Sequence, residues 1–309
     1  MSSIFTLSIV QTALELGGIY SLVALALFIS FSILNIADLS TDGCFTLGCA
    51  VCASVTIAGH PILALFAAMA AGVCSGYITA ALQTKFGIES ILAGIVVNTG
   101  LYTINIAVMG FASNMNLFQC DTIFSMAKES IGGDWYKLLV ILLVVVIAGI
   151  LLTLFLGTRL GLSIRATGNN AAMVKASSIN PGHMITVGLC ISSALTALSG
   201  AVLAQYQKSC DINLGTGMVT IALASLIIGE TLVGKGTMPR RIIGVVLGSC
   251  LYRFIVAIAL RMSVPAECLK LVSALIVAIA LAIPYFKNRA TFVKNRAKMQ
   301  KEYKKGGEV

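Results

Sequence analysis

Apolar residues dominate the chain in long blocks, separated by short stretches where glycine, proline and charge collect. Nine apolar runs can be read, at 5–34, 44–58, 62–82, 91–110, 138–156, 184–206, 218–233, 242–260 and 268–286. A bilayer core about 30 Å thick takes roughly 20 apolar residues as a helix, so each run predicts one crossing or part of one. Polar residues interrupt several runs, which sets the expected count between eight and ten. The first run is long enough to be bent or broken at Gly17 and Gly18, and the second is short enough to be a half-helix. The predicted fold class is therefore all-α: a polytopic membrane protein of about nine helices. Its transmembrane domain covers 1–286, and a basic tail covers 287–309.

Composition agrees with this pattern. Of 309 residues, 58% are hydrophobic and 11% charged, with a mean hydropathy of +0.97, whereas soluble domains carry roughly 25% charged residues. No soluble domain of useful size fits between the runs. No basic segment precedes the first run and no small-residue cleavage site follows it, so that run is expected to stay rather than be removed as a leader.

Charge then orients the runs. Lys and Arg are retained on the cytoplasmic side of short loops, and the 157–183 loop holds Arg159, Arg165 and Lys175 without an acid. The 234–241 loop holds Lys235, Arg240 and Arg241, and the tail carries eight basic residues against Glu302 and Glu308. The 111–136 loop is mixed, with Asp121, Lys128, Glu129 and Asp134. An even number of runs separates the basic loops, so they fall on one side, with the C-terminus inside and, for nine crossings, the N-terminus outside. The net charge of +9 is thereby explained by an inner face and a tail beside an anionic leaflet, with no nucleic acid required.

Candidate chemistry is sparse. Of the nine cysteines, Cys49 and Cys52 alone stand at C-x-x-C spacing, inside an apolar run, and no mixed Cys/His ligand spacing occurs. Cys44, Cys49 and Cys52 are expected as small apolar residues in a tight helix, and Cys120 and Cys210, both in predicted outer loops, either pair or stay free. With two histidines, no nucleophile elbow and no H-E-x-x-H, neither an enzyme active site nor a metal or cofactor is expected. The stretch "GETLVGKG" resembles a phosphate loop. It lacks the hydroxyl after Lys235 and follows an apolar run instead of a strand, so it reads as a turn between crossings.

Polar groups inside a membrane are expensive and mark function. Asn35, Asp38, Ser40, Thr41 and Asp42 lie between the first two runs, either as unwound backbone lining a transport path or as a polar turn with Asp42 capping the next helix. Asn98 and Asn105 are two helical turns apart, and either line a cavity or bond neighbouring helices. Glu230, Arg253 and Lys270 are intramembrane charges, and Glu230 is expected to pair with Arg253. The 157–183 loop predicts a short helix at about 170–176, presenting Arg165, Asn169, Asn170 and Lys175 to a cytoplasmic partner.

That loop carries a resemblance. "RLGLSIRATGNNAAMVKASSIN" resembles the coupling region of permeases of ABC importers in the branched-chain amino acid and ribose family, which reads like G-x-x-x-R-A-x-G-x-N with G-I-N at its end. Gly161, Arg165, Ala166, Gly168, Asn170, Ile179 and Asn180 match, while Ser178 stands at the family's glycine. "FISFSILNIADLSTDGCFTLGCAV", "AGIVVNTGLYTINIAVMG" and "ASLIIGETLVG" are similar to the tryptophan/tyrosine-type and uncharacterised permeases, with Ala37 where that subgroup often has proline. The resemblance implies a membrane dimer, with a homodimer expected, two separate cytoplasmic ATPase subunits and an external substrate-binding protein. It also implies amino acid substrates, aromatic ones among them. Arg165, Ala166, Thr167, Gly168, Asn169 and Asn170 then become the ATPase-coupling candidates, and Asn35, Asp38, Asp42, Asn98 and Asn105 the path candidates. The alternative is a secondary transporter or channel that works without an ATPase.

Overall fold

The computed structural model describes residues 7–132, 135–234 and 236–261, with five isolated positions between 271 and 282. Lys235, Lys270, most of the ninth apolar run and the basic tail lie outside the described residues. The chain folds into α1 (Leu7–Leu27) with a π-helical last turn (Phe28–Ile33), α2 (Thr41–Ile57), α3 (Pro61–Thr84), α4 (Ser90–Val108) and β1 (Asn114–Asn116). There follow α5 (Ile123–Ile131), α6 (Tyr136–Gly157), α7 (Arg159–Asn169), α8 (Ala171–Ala176), α9 (Pro181–Gln207), β2 (Ser209–Asp211), α10 (Met218–Val233) and α11 (Met238–Arg261). Among the described residues six helices are long and apolar enough to cross a membrane, Ile9–Ile33, α3, α4, α6, α9 and Met238–Leu260, while α2 and α10 are shorter apolar helices. These eight coincide with the first eight apolar runs, and the architecture is an all-α, multi-pass membrane bundle.

Helix α9 is the axis, buried along most of its length against α1, α2 and α3. Lipid is as apolar as leucine, so close packing and interhelical hydrogen bonds hold such helices together, the latter at about 0.6 kcal/mol each. Ser192 Oγ donates to the Ala26 carbonyl (2.8 Å), and Ser199 Oγ donates to that of Ile19 (2.7 Å). The thiols of Cys44, Cys49 and Cys52 donate to the carbonyls of Ser193, Gly200 and Ala201 (3.3, 3.1 and 3.4 Å), so this group packs α2 onto α9. Cys120 and Cys210 are both free thiols.

Two expectations change. Helix α1 runs unbroken through Gly17 and Gly18. These glycines instead admit close neighbours: a Cβ on Gly17 would lie 2.8 Å from Cys250 Cα on α11, and one on Gly18 would lie 2.6 Å from a methyl carbon of Ile141 on α6. The departure from α-geometry comes later, in the π turn, where the Leu34 N–H reaches back five residues to the Ile29 carbonyl (2.9 Å). Finally, the region expected to be a basic turn followed by one short helix is two helices. Thr158 Oγ1 accepts the Gly161 N–H to start α7 (3.2 Å), and Asn170 Oδ1 accepts the Met173 N–H to start α8 (3.1 Å).

The bundle has two distinct ends. At one, β1 and β2 pair antiparallel with Met115 opposite Cys210, which joins the 111–135 and 208–217 loops. Tyr206 at the end of α9 donates its hydroxyl to Glu15 near the start of α1 (2.7 Å), so the N-terminal end of α1 lies toward this ribbon end. At the other end α7 touches the π turn, and the α10–α11 connection lies beside it. The turn that resembled a phosphate loop joins α10 to α11, helix to helix, with Gly234 at φ 81 ending α10.

Candidate functional site

Two helices begin inside the bundle. Cys44, in the first turn of α2, bonds Ser193 near the middle of α9, so α2 starts about halfway through. Asp42 fixes the start of α10 at the same depth. Its Oδ2 accepts the Gly217 N–H and its Oδ1 the Val219 N–H, each at 2.9 Å, while Thr46 Oγ1 accepts the Gly215 N–H (3.1 Å). A helix N-terminus has unsatisfied N–H groups and a positive dipole end, and a carboxylate answers both. Asp42 lies inside the first turn of its own helix and caps α10 across the bundle. The expectation of a cap on the following helix therefore holds the right chemistry on the wrong helix.

The other polar candidates gather around this point. Asp38 is buried, its Oδ1 accepting from the Ser40 N–H (2.9 Å) and hydroxyl (2.6 Å). Thr79 Oγ1 from α3 reaches the same hydroxyl (3.3 Å). Asn105 is buried and donates through Nδ2 to the Gly43 carbonyl (3.1 Å). Asn98 faces the same glycine, its Oδ1 2.6 Å from where a Cβ would stand. The two asparagines thus share one face of α4, turned toward the start of α2. Asn35 is exposed at φ 57, turning the chain back after the π segment.

On the α7–α8 end, Asn169, Asn170, Met173 and Lys175 are exposed, Arg165 and Ala166 half-buried, and Thr167 buried with its hydroxyl on the Ser163 carbonyl (2.7 Å). Gly168 also turns inward: any Cβ there would overlap the Ile33 carbonyl at the end of the π turn. Thr167 and Gly168 therefore face the bundle, and the outward surface is formed by the residues around them.

The intramembrane charges pair differently from expectation. Glu230 Oε1 forms an ion pair with Arg241 Nη2 and accepts the Ser32 hydroxyl (2.8 Å), and the Arg241 guanidinium lies 4.8 Å from the Phe28 ring centre. Arg253 lies instead over the Tyr20 ring, 3.6 Å from its centre. Its apolar setting is offset by this cation–π contact. Lys270 lies outside the described residues. Two participants escaped the sequence reading. Arg241 had been counted only as a loop charge, and Glu15, buried in α1 and bonded by Tyr206 and Gln11 (2.7 and 3.0 Å), is legible as an acid inside the first apolar run.

Residues 9–281 match the family described as branched-chain amino acid transport system / permease component. The chain belongs to this family of ABC transporter permeases. Similar members include the tyrosine transport system permease protein of Clostridioides difficile (strain R20291), 36% identical over 85% of this chain and 87% of that protein. An uncharacterized protein of Rickettsia prowazekii (strain Madrid E) is 29% identical over 89% of this chain and 98% of its own length. A ribose import permease of Escherichia coli (strain K12) is 27% identical over 71% of this chain and 67% of its own. No solved structure matches at a significant level. Membership makes the chain a multi-pass transport subunit of the cell membrane, and the match covers every described helix from near the start of α1 onward.

Proposed function

We propose that this permease is the translocating subunit of an ATP-driven importer, and that its solute is an amino acid, aromatic ones included, delivered by an external binding protein. The α7–α8 end is the docking surface for two ATPase subunits, and a second copy of the permease completes the membrane part. The observation that carries the reading is the pair of short capped helices at that end. They present Asn169, Asn170 and Lys175 outward, while Gly168 rests on the backbone of a membrane helix. A docking partner that moves there moves the bundle.

Orientation follows from the same end. The basic 157–183 and 234–241 loops lie together around the π turn, while the mixed 111–136 loop belongs to the ribbon end. We place the first on the cytoplasmic side, and with it the C-terminus. The solute's path runs past the meeting point of α2 and α10, where Asp38, Asp42, Asn98 and Asn105 converge, with Asn35 at its cytoplasmic approach. Support for an amino acid rests on the tyrosine permease, which is more similar over more of the chain than the ribose permease.

The test is reconstitution into vesicles with the ATPase and binding protein it is proposed to work with. Uptake of tyrosine should require ATP and the binding protein, with ribose as the competing substrate. Uptake by the permease alone would favour a secondary transporter or channel. Arg165→Glu should insert normally yet abolish the ATP hydrolysis that loaded binding protein stimulates. Unchanged stimulation would remove the α7–α8 end as the coupling surface.

A further inference from the structure

The ion pair at the base of α10 joins three elements at one point. Glu230 closes α10, Arg241 opens α11, and Ser32 belongs to the π turn of α1. The Ser32 hydroxyl donates to Glu230 Oε1 (2.8 Å) and accepts from Arg241 Nη2 (2.7 Å), and the same Nη2 meets Glu230 Oε1. Phe28, four residues before Ser32 and in the same π turn, lies under the guanidinium. The π turn is thus held from two of its own side chains by one arginine.

The residue after Ser32 is Ile33, whose carbonyl abuts Gly168 of α7. Moving the other way along α10, the helix ends at the Gly217 and Val219 N–H groups held by Asp42. Asp42 is covalently continuous, through 34–41, with the π turn itself. The contacts therefore close a ring, Ser32 to Glu230, along α10 to Asp42, and through 34–41 back to the π turn, with α7 abutting it at Ile33. Within the ring α10 and α11 act as one body, because Gly229 and Gly244 bring their backbones into direct contact. The element able to yield is the π turn, a rare interruption of α-geometry that recurs at functional sites in other helices.

We propose that Ser32, Glu230 and Arg241 are positioning residues for transport: a pin that makes α10 follow displacement of α7, so that the Asp42 end of α10 shifts at the level where solute passes. This rests on the ATP-driven importer reading. The pin neither touches solute nor hydrolyses ATP. It sets how many solute molecules cross per ATP spent.

The experiment uses the assembled complex in vesicles, with tyrosine as probe, and reads tyrosine transported per ATP hydrolysed alongside hydrolysis without binding protein. Glu230→Gln and Arg241→Gln should each lower the ratio about tenfold, a typical size for coupling between sites, while leaving that basal hydrolysis in place. Combining Glu230→Arg with Arg241→Glu should recover part of the ratio, a rescue that general loss of packing would not show. Single variants that assemble and keep the wild-type ratio would overturn the proposal, and so would a swap no better than either single. If the single variants fail to assemble, Ser32→Ala decides, since it removes one hydroxyl and leaves both charges: a lowered ratio supports the pin, and an unchanged one overturns it. A wild-type complex in which tyrosine uptake needs no ATP would instead defeat the importer reading, an outcome distinguishable from all of these.

Discussion

Ser178 sits at φ 61, in the left-handed region where an L side chain crowds its own backbone. Its N–H bonds the Lys175 carbonyl (3.2 Å), and the following Ile179 N–H bonds that of Val174 (3.2 Å), so the turn ending α8 is complete despite the absence of glycine. The conformation costs a residue with a Cβ about 1 kcal/mol. Ser178→Gly should therefore raise the melting temperature of the purified permease slightly, the gain being reduced by glycine's greater freedom in the unfolded chain. A lower melting temperature would show that the serine side chain contributes something the backbone does not reveal. The position was legible in advance, since the family pattern marks it as glycine. What the pattern could not tell was whether the turn persists with serine, and it does.

Among the elements, the short helices α2 and α10 are the informative ones. The brevity of the second run predicted a partial helix, because 44–58 is too short to cross alone. Its partner was not legible: 218–233 reads as an ordinary short crossing, and only the Asp42 contacts show that it starts halfway through the bundle. Such a contact joins positions about 175 residues apart, and no local pattern encodes it. The same holds for the Glu230 partner. Its place inside an apolar run offered Arg253, whereas the fold brings in Arg241 from the first turn of α11. Helix α7 was missed for another reason, being a mixed polar segment with no long apolar face, recognisable mainly by its Thr158 cap. The Asp42 cap carries a measurable expectation. Asp42→Ala should cost about 1–2 kcal/mol in thermal stability, and Asp42→Asn less, because the amide oxygen still accepts one of the two N–H groups. Equal melting temperatures for wild type and Asp42→Ala would show that water replaces the carboxylate without loss.

At the scale of the whole molecule, the two ends differ in charge and construction, and their sidedness can be checked directly. A membrane-impermeant maleimide applied from the cytoplasmic side should modify Ser177→Cys, at the exposed end of α8. Applied from outside, it should modify Phe118→Cys, which is 69% exposed near the ribbon. Reversed labelling would invert the orientation and move the ATPase surface to the ribbon end. At the α7–α8 end, the proposed coupling would pass through the Gly168–Ile33 contact. A side chain between two helices acts as a spring, since it can take up a displacement by changing rotamer. Main chain resting on main chain has no such slack. Under the proposed coupling a shift of α7 would pass directly to α1, and a single added methyl group at position 168, which would overlap the Ile33 carbonyl, would act as a wedge between the two.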